Sequence, residues 1–158
     1  GHRAPFFSIT RESLWALDVL EELGFCYDSS IFPVRNYRYG IPDAPRWPYR
    51  VREGGRLVEF PISTWRIAGT NLPLAGGAYF RIYPYALTRM GLRSINRSGH
   101  PFAFYLHPWE LDPEHPRIQV PRRVAVTHYF NLSSTEGRLR RLLRDFRFAP
   151  MREVQSVG

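Results

Sequence analysis

His107, at the end of a short apolar run, is the side chain in this sequence best suited to moving a proton. It stands in Phe104-Tyr105-Leu106-His107-Pro108-Trp109-Glu110. An imidazole has an ordinary pKa of ~6.5, so it can act as a general acid or base near neutral pH. The run 102–106 is too short for a buried helix and is bounded by Gly99 and Pro101 before it and Pro108 after it. That pattern predicts an interior strand with His107 at its carboxyl end, where α/β proteins do their chemistry. A buried histidine bonded to a carbonyl is the alternative. Asp28, in Tyr27-Asp28-Ser29-Ser30, could orient a histidine's second nitrogen or simply cap the next turn. Arg3 precedes Pro5, Phe6 and Phe7, which suggests a packed approach to the first helix.

Other chemistries find less support. His107, Glu110, Asp112 and His115 are all potential metal ligands, but Pro108 and Pro113 interrupt the segment, so no helical spacing gathers them on one face. His2 and His128 offer no zinc spacing. The G-x-S-x-G, G-x-G-x-x-G and P-loop patterns are absent, which leaves a serine hydrolase or a nucleotide site without a fingerprint.

The elements that must position these residues follow from periodicity. Thr10 and Glu12 open a helix of Leu14, Leu17, Leu20 and Leu23 that Gly24 ends. Residues 25–31 read as a strand, 34–55 as a long Pro-, Arg- and Tyr-rich loop, and 57–62 as a second strand entered from Gly54-Gly55. A loop holds residues 75–80. Pro84 then starts a helix with Ala86, Leu87, Met90 and Ile95 on one face, closed by Gly99. After the His107 strand, Ser133 and Glu136 have capping-box spacing ahead of a helix with Leu139, Leu142, Leu143 and Phe146 on one side. Strands alternating with helices imply an α/β fold with a largely parallel sheet. Three strands are too few for a barrel or a doubly wound domain, so strands are expected to be missing from the amino side.

Composition bounds the partners. The 158 residues are 44% hydrophobic and 15% aromatic, enough for one domain with a core. No stretch approaches the roughly 20 apolar residues of a membrane span, and the opening Gly1-His2-Arg3-Ala4-Pro5 reads as the middle of a longer protein. The lone Cys26, beside Phe25 and Tyr27, suggests buried packing. All 22 basic residues are arginine against 14 acidic ones, a net charge of +8 that suits phosphate or anionic glycan partners. The arginines around 138–147 could contact nucleic acid, but a solvated face over an apolar one is the simpler reading.

Three segments taken together resemble a known family. Residues 1–9 (Gly-His-Arg-Ala-Pro-Phe-Phe-Ser-Ile), 27–33 (Tyr-Asp-Ser-Ser-Ile-Phe-Pro) and 104–110 look like successive motifs of polysaccharide deacetylases of the NodB-homology type, carbohydrate esterase family 4. The likeness is to the subgroup found with exosortase-linked exopolysaccharide clusters, whose carboxyl-terminal region also resembles Gly77-Ala78-Tyr79-Phe80-Arg81 and Phe146-Arg147-Phe148-Ala149-Pro150. The resemblance implies that residues 1–150 are the carboxyl-terminal portion of a distorted (β/α) barrel, with 151–158 a short tail. It implies hydrolysis of N- or O-acetyl groups on an acetylated polysaccharide with a divalent metal, commonly zinc, and no nucleic-acid partner. The compartment, bacterial cytoplasm or cell envelope, stays open.

By that resemblance His107 is the general acid that protonates the leaving amine, and Asp28 tunes the catalytic histidine, although Asp-Ser-Ser departs from the Asp-Trp ending of many relatives. Arg3 orients the catalytic base. Leu106 lines the acetyl-methyl pocket, the backbone near Phe6 helps hold the oxyanion, and Trp109 contributes to substrate binding. The family's aspartate base and metal ligands would precede Gly1, since no Asp-Asp pair or H-x-x-x-H occurs here. The chain alone is therefore expected neither to bind zinc tightly nor to deacetylate. The alternatives are a non-catalytic carbohydrate-binding module and an arginine-rich nucleic-acid or anionic-surface binder.

Overall fold

The leucine-rich segment before Gly24 folds as its spacing predicts. In the computed structural model, which describes residues 1–36 and 38–154, a 3-10 turn Arg11–Ser13 leads into helix α1, Trp15–Glu22. Thr10 donates its N–H to Ser13 Oγ at the start, and Gly24, at φ +79, supplies the left-handed residue that ends the helix. Of the apolar stripe, Leu17 and Leu20 are buried while Leu14, Val19 and Leu23 stay partly exposed.

Beyond α1, strand β1 (Tyr27–Asp28) pairs in parallel with β3 (Val58–Glu59), which pairs antiparallel with β2 (Tyr49–Arg50). His2 adds a parallel bridge to Asp28 on the outer side. The expected largely parallel sheet is thus corrected to a small mixed one. Its antiparallel member comes from within the long loop, because Gly54 at φ +74 reverses the chain and returns it alongside β3. Cys26 is exposed, not packed inside; the buried side chain of this strand is Asp28.

A second sheet escapes the sequence reading. Strands β4 (Thr64–Ile67) and β5 (Thr70–Pro73) form a hairpin whose two central residues, Ala68 and Gly69, both have positive φ (46° and 80°), as a type I′ turn requires. An alanine at the first position hides the usual Asn-Gly or Asp-Gly signal. Among the described residues the chain is a mixed α/β arrangement of small sheets and several helices with no closed barrel, and no helix is long and apolar enough to cross a membrane.

The segment before His107 is extended, but it is not an interior ladder strand. One bridge joins Gly76 and Tyr105, and Ala103 N–H donates to Ser63 Oγ at 2.8 Å. The ladder stops because Gly76, at φ +122, turns its neighbour into the short helix α2, Gly77–Ile82. Pro84 then precedes α3, Tyr85–Arg97, and Gly99 at φ +83 follows it. The inward face of α3 is Tyr85, Thr88, Leu92 and Ile95 rather than the expected Ala86, Leu87 and Met90. Gly91 lies at the close approach of this face to Leu74 and Trp65, which a Cβ would crowd.

Helix α4, Arg122–Tyr129, was not anticipated. Helix α5, Thr135–Asp145, begins after a 3-10 turn Leu132–Ser134 in which Ser134 Oγ donates to the Asn131 carbonyl, so the Ser133–Glu136 capping box is not the start used. Leu142 and Phe146 of its expected apolar side are buried, but Leu143 is exposed. Arg138 is structural, since its Nη1 donates to the Phe80, Arg81 and Tyr83 carbonyls at the end of α2. In the expected tail, Met151–Glu153 forms a 3-10 turn and residues 155–158 lie outside the described residues.

The Gly76 turn gives a direct test. A Cβ at residue 76 would sit inside the envelope of the Tyr105 carbonyl oxygen, on a backbone that disfavours any L side chain. Gly76→Ala should lower unfolding free energy by ~2 kcal/mol or more in denaturant titration. An unchanged midpoint would contradict the bridge.

Candidate functional site

A buried ion pair sets the position of His107. Arg81 and Glu110 are almost completely inaccessible, with side-chain exposures of 1% and 0%, and Arg81 Nε donates to Glu110 Oε1 at 2.9 Å. Burying two charges is costly unless their remaining hydrogen-bonding positions are filled, and here they are. Arg81 Nη1 donates to the carbonyls of His128 and Phe130, and Nη2 to that of Thr127, so one guanidinium satisfies the end of α4. The second carboxylate oxygen of Glu110 accepts both the backbone N–H of His107 at 2.9 Å and its ring Nδ1 at 3.0 Å. Pro108 starts the 3-10 turn Pro108–Leu111 that brings Glu110 back under the histidine.

The tautomer follows from this geometry. A carboxylate oxygen can only accept, so Nδ1 carries a proton and Nε2 is the ring nitrogen left to exchange one. The His107 side chain is 54% exposed over a fully buried partner. Its ring lies edge-on to Tyr105 at 5.7 Å and stacks with Trp109 at 5.6 Å. Burial pushes the Tyr105 phenol up, so its hydroxyl keeps its proton. Trp109 also stacks on His128 at 4.0 Å, and His128 meets His115 edge-on. Burial and the neighbouring His115 hold the His128 imidazole below the usual histidine range.

On the other side of Tyr105, the amino-terminal residues are gripped one by one by the Asp-Ser-Ser sequence. Asp28 Oδ1 meets His2 Nδ1 at 2.7 Å, Ser29 accepts Arg3 Nε and Nη2 through its carbonyl and hydroxyl, both at 3.0 Å, and Ser30 Oγ accepts the Ala4 N–H at 2.7 Å. Arg3 faces the Tyr105 ring, with its guanidinium carbon 5.7 Å from the ring centroid. Burial and the adjacent Asp28 push the carboxyl of Glu59, paired with Asp28 across the parallel strands, well above the usual carboxylate range.

Tyr105 therefore brings Arg3 and His107 into one neighbourhood, whereas Asp28 and His107 take different partners. The histidine beside Asp28 is His2, and the carboxylate beside His107 is Glu110. Leu106 packs half-buried against the cluster of Leu74, Phe80 and Leu92. The Phe6 side chain is 87% exposed on a backbone at φ 57, a left-handed conformation that costs of order 1 kcal/mol or more and tends to mark functional segments. Sequence reasoning missed Arg81, His2 and the pairing role of Glu110. Its available signals were Arg81 at the end of Gly77-Ala78-Tyr79-Phe80-Arg81 and the three-residue spacing of His107 and Glu110.

The described residues do not fit a resident metal. No three His, Cys, Asp or Glu side chains among them are grouped so as to hold one, and both oxygens of Glu110 are already engaged.

The chain is similar to one family, whose model carries the description domain of unknown function (DUF3473) and matches residues 29–156. No curated protein and no solved structure matches it.

Two measurements test this geometry. Glu110→Ala should cost about 3–5 kcal/mol of unfolding free energy by stranding buried Arg81, whereas truncating exposed His107 should cost under ~1 kcal/mol; equal losses would contradict the arrangement. Because His128 takes a proton more readily unfolded than folded, stability should be full above about pH 6.5 and fall as the pH drops below it. His128→Gln should flatten that decline in denaturant titrations, and an unaltered slope would remove His128 as its source.

Proposed function

This chain belongs to the DUF3473 family, and we propose that it contributes the proton-donating side of a glycan deacetylase active site. The reading combines the three motif segments, which resemble polysaccharide deacetylases, with one observation: His107 is held at Nδ1 by a buried carboxylate and leaves Nε2 as its free ring nitrogen.

Amide hydrolysis needs a proton at the nitrogen as its bond to the acetyl carbon breaks, because an amide anion is a very poor leaving group. Doubly protonated His107 donates from Nε2, and the amine departs neutral. Glu110 keeps the ring oriented and stabilises the imidazolium before transfer, while Arg81 prevents the carboxylate from turning away. Arg3, fixed through Nε and Nη2, leaves Nη1 to orient a carboxylate that acts as base. A base to activate water, and a divalent metal to polarise the carbonyl, would have to be supplied by residues outside those described here.

In the full-length protein, acting on N-acetylated chito-oligosaccharide, His107→Ala should lower turnover about 10²- to 10⁴-fold and leave bound metal unchanged. Undiminished turnover or loss of the metal would overturn the assignment. Glycan binding without any acetate release in the wild-type protein would instead favour a carbohydrate-binding module.

A further inference from the structure

The hairpin β4–β5 and the loop after β1 line an open cavity of about 610 Å³ that the acid chemistry does not use. Its size is that of a small-ligand site. Pro33, Pro42, Arg35, Arg66, Asn71 and Tyr79 are among its walls. Asn71 is fixed in an unusual way: its Nδ2 donates to the Pro33 carbonyl at 2.9 Å and to the Pro42 carbonyl at 3.3 Å. With both amide protons committed to carbonyls of the loop, Asn71 ties the hairpin wall of the cavity to its loop wall and holds the two in one arrangement.

The charge of the cavity narrows the ligand. Arg35 and Arg66 line it, and its acidic side chain, Asp43, is already paired with Arg11. Guanidinium groups match carboxylates with two parallel hydrogen bonds, and the proline faces offer apolar surface to a pyranose ring. A series of ring contacts runs from its wall to the proposed acid. Tyr79 meets Phe32 at 6.5 Å, Phe32 meets Phe7 at 5.3 Å, Phe7 meets Tyr105 at 5.1 Å, and Tyr105 meets His107 at 5.7 Å.

We propose that this cavity is a subsite for a uronic acid residue of the polysaccharide, with Arg35 and Arg66 receiving its carboxylate between walls that Asn71 holds in place. The proposal rests on the glycan reading above and adds that the glycan is anionic.

Titration calorimetry of the full-length protein with tetragalacturonate and with neutral chitotetraose tests it. Tetragalacturonate should bind, and Arg66→Ala and Arg35→Ala should each weaken that binding about tenfold while leaving chitotetraose unaffected. Unchanged affinity in both arginine variants would overturn the subsite, as would equal competition by a single-stranded DNA oligomer. The two readings fail separately. Uronate binding without acetate release would leave the subsite and remove the deacetylase, whereas acetate release from chitotetraose with no uronate binding would do the reverse.

Discussion

The carboxylate of Glu110, buried against Arg81, is the interaction on which the rest of the site depends. Neither charge would be tolerated alone in a position so fully closed to water. Together they consume the open carbonyls of α4, fix the turn after His107 and leave one oxygen for the imidazole. The same guanidinium lies over Trp109, which stacks on both His107 and His128. Structure and chemistry thus meet in one ion pair, whose structural half makes α4 and the Pro108–Leu111 turn mutually dependent.

A second constraint comes from the amino terminus. Three consecutive side chains of β1 and the residues after it hold three consecutive residues of the first segment, so Arg3 is placed by Ser29 and not by a charge partner. Asp28 serves His2 in this arrangement, beside the buried carboxyl of Glu59. Asp-Ser-Ser suits that grip, because each short polar side chain reaches its partner directly from the strand. Tyr105, between Arg3 and His107, turns two separately anchored groups into one surface.

Much of this was legible in the sequence. The aliphatic spacing and Gly24 mark α1, Pro84 and Gly99 bracket α3, and His107 does lie at the end of an extended segment just before a proline-started turn. What stayed hidden depends on partners distant in the chain. The face of α3 approaches Trp65 and Leu74 closely at Gly91, which the helix's own sequence cannot reveal. The hairpin turn at Ala68-Gly69 lacks the usual residue at its first position. Arg81 looks like any surface arginine until it is seen inside the molecule. For Asp28 and His107 the expected roles follow the order of motifs, whereas their hydrogen bonds follow three-dimensional neighbours that no motif spacing encodes.

The central claim is that Glu110 holds Nδ1 of His107 and so presents Nε2 as the proton-exchanging atom. Long-range ¹H–¹⁵N correlation spectra of the imidazole rings, recorded in the wild-type protein through the His107 titration, test it without altering a residue. The account predicts that neutral His107 keeps its proton on Nδ1 and that Nε2 is the nitrogen that loses and regains one. A neutral ring protonated at Nε2 would contradict it.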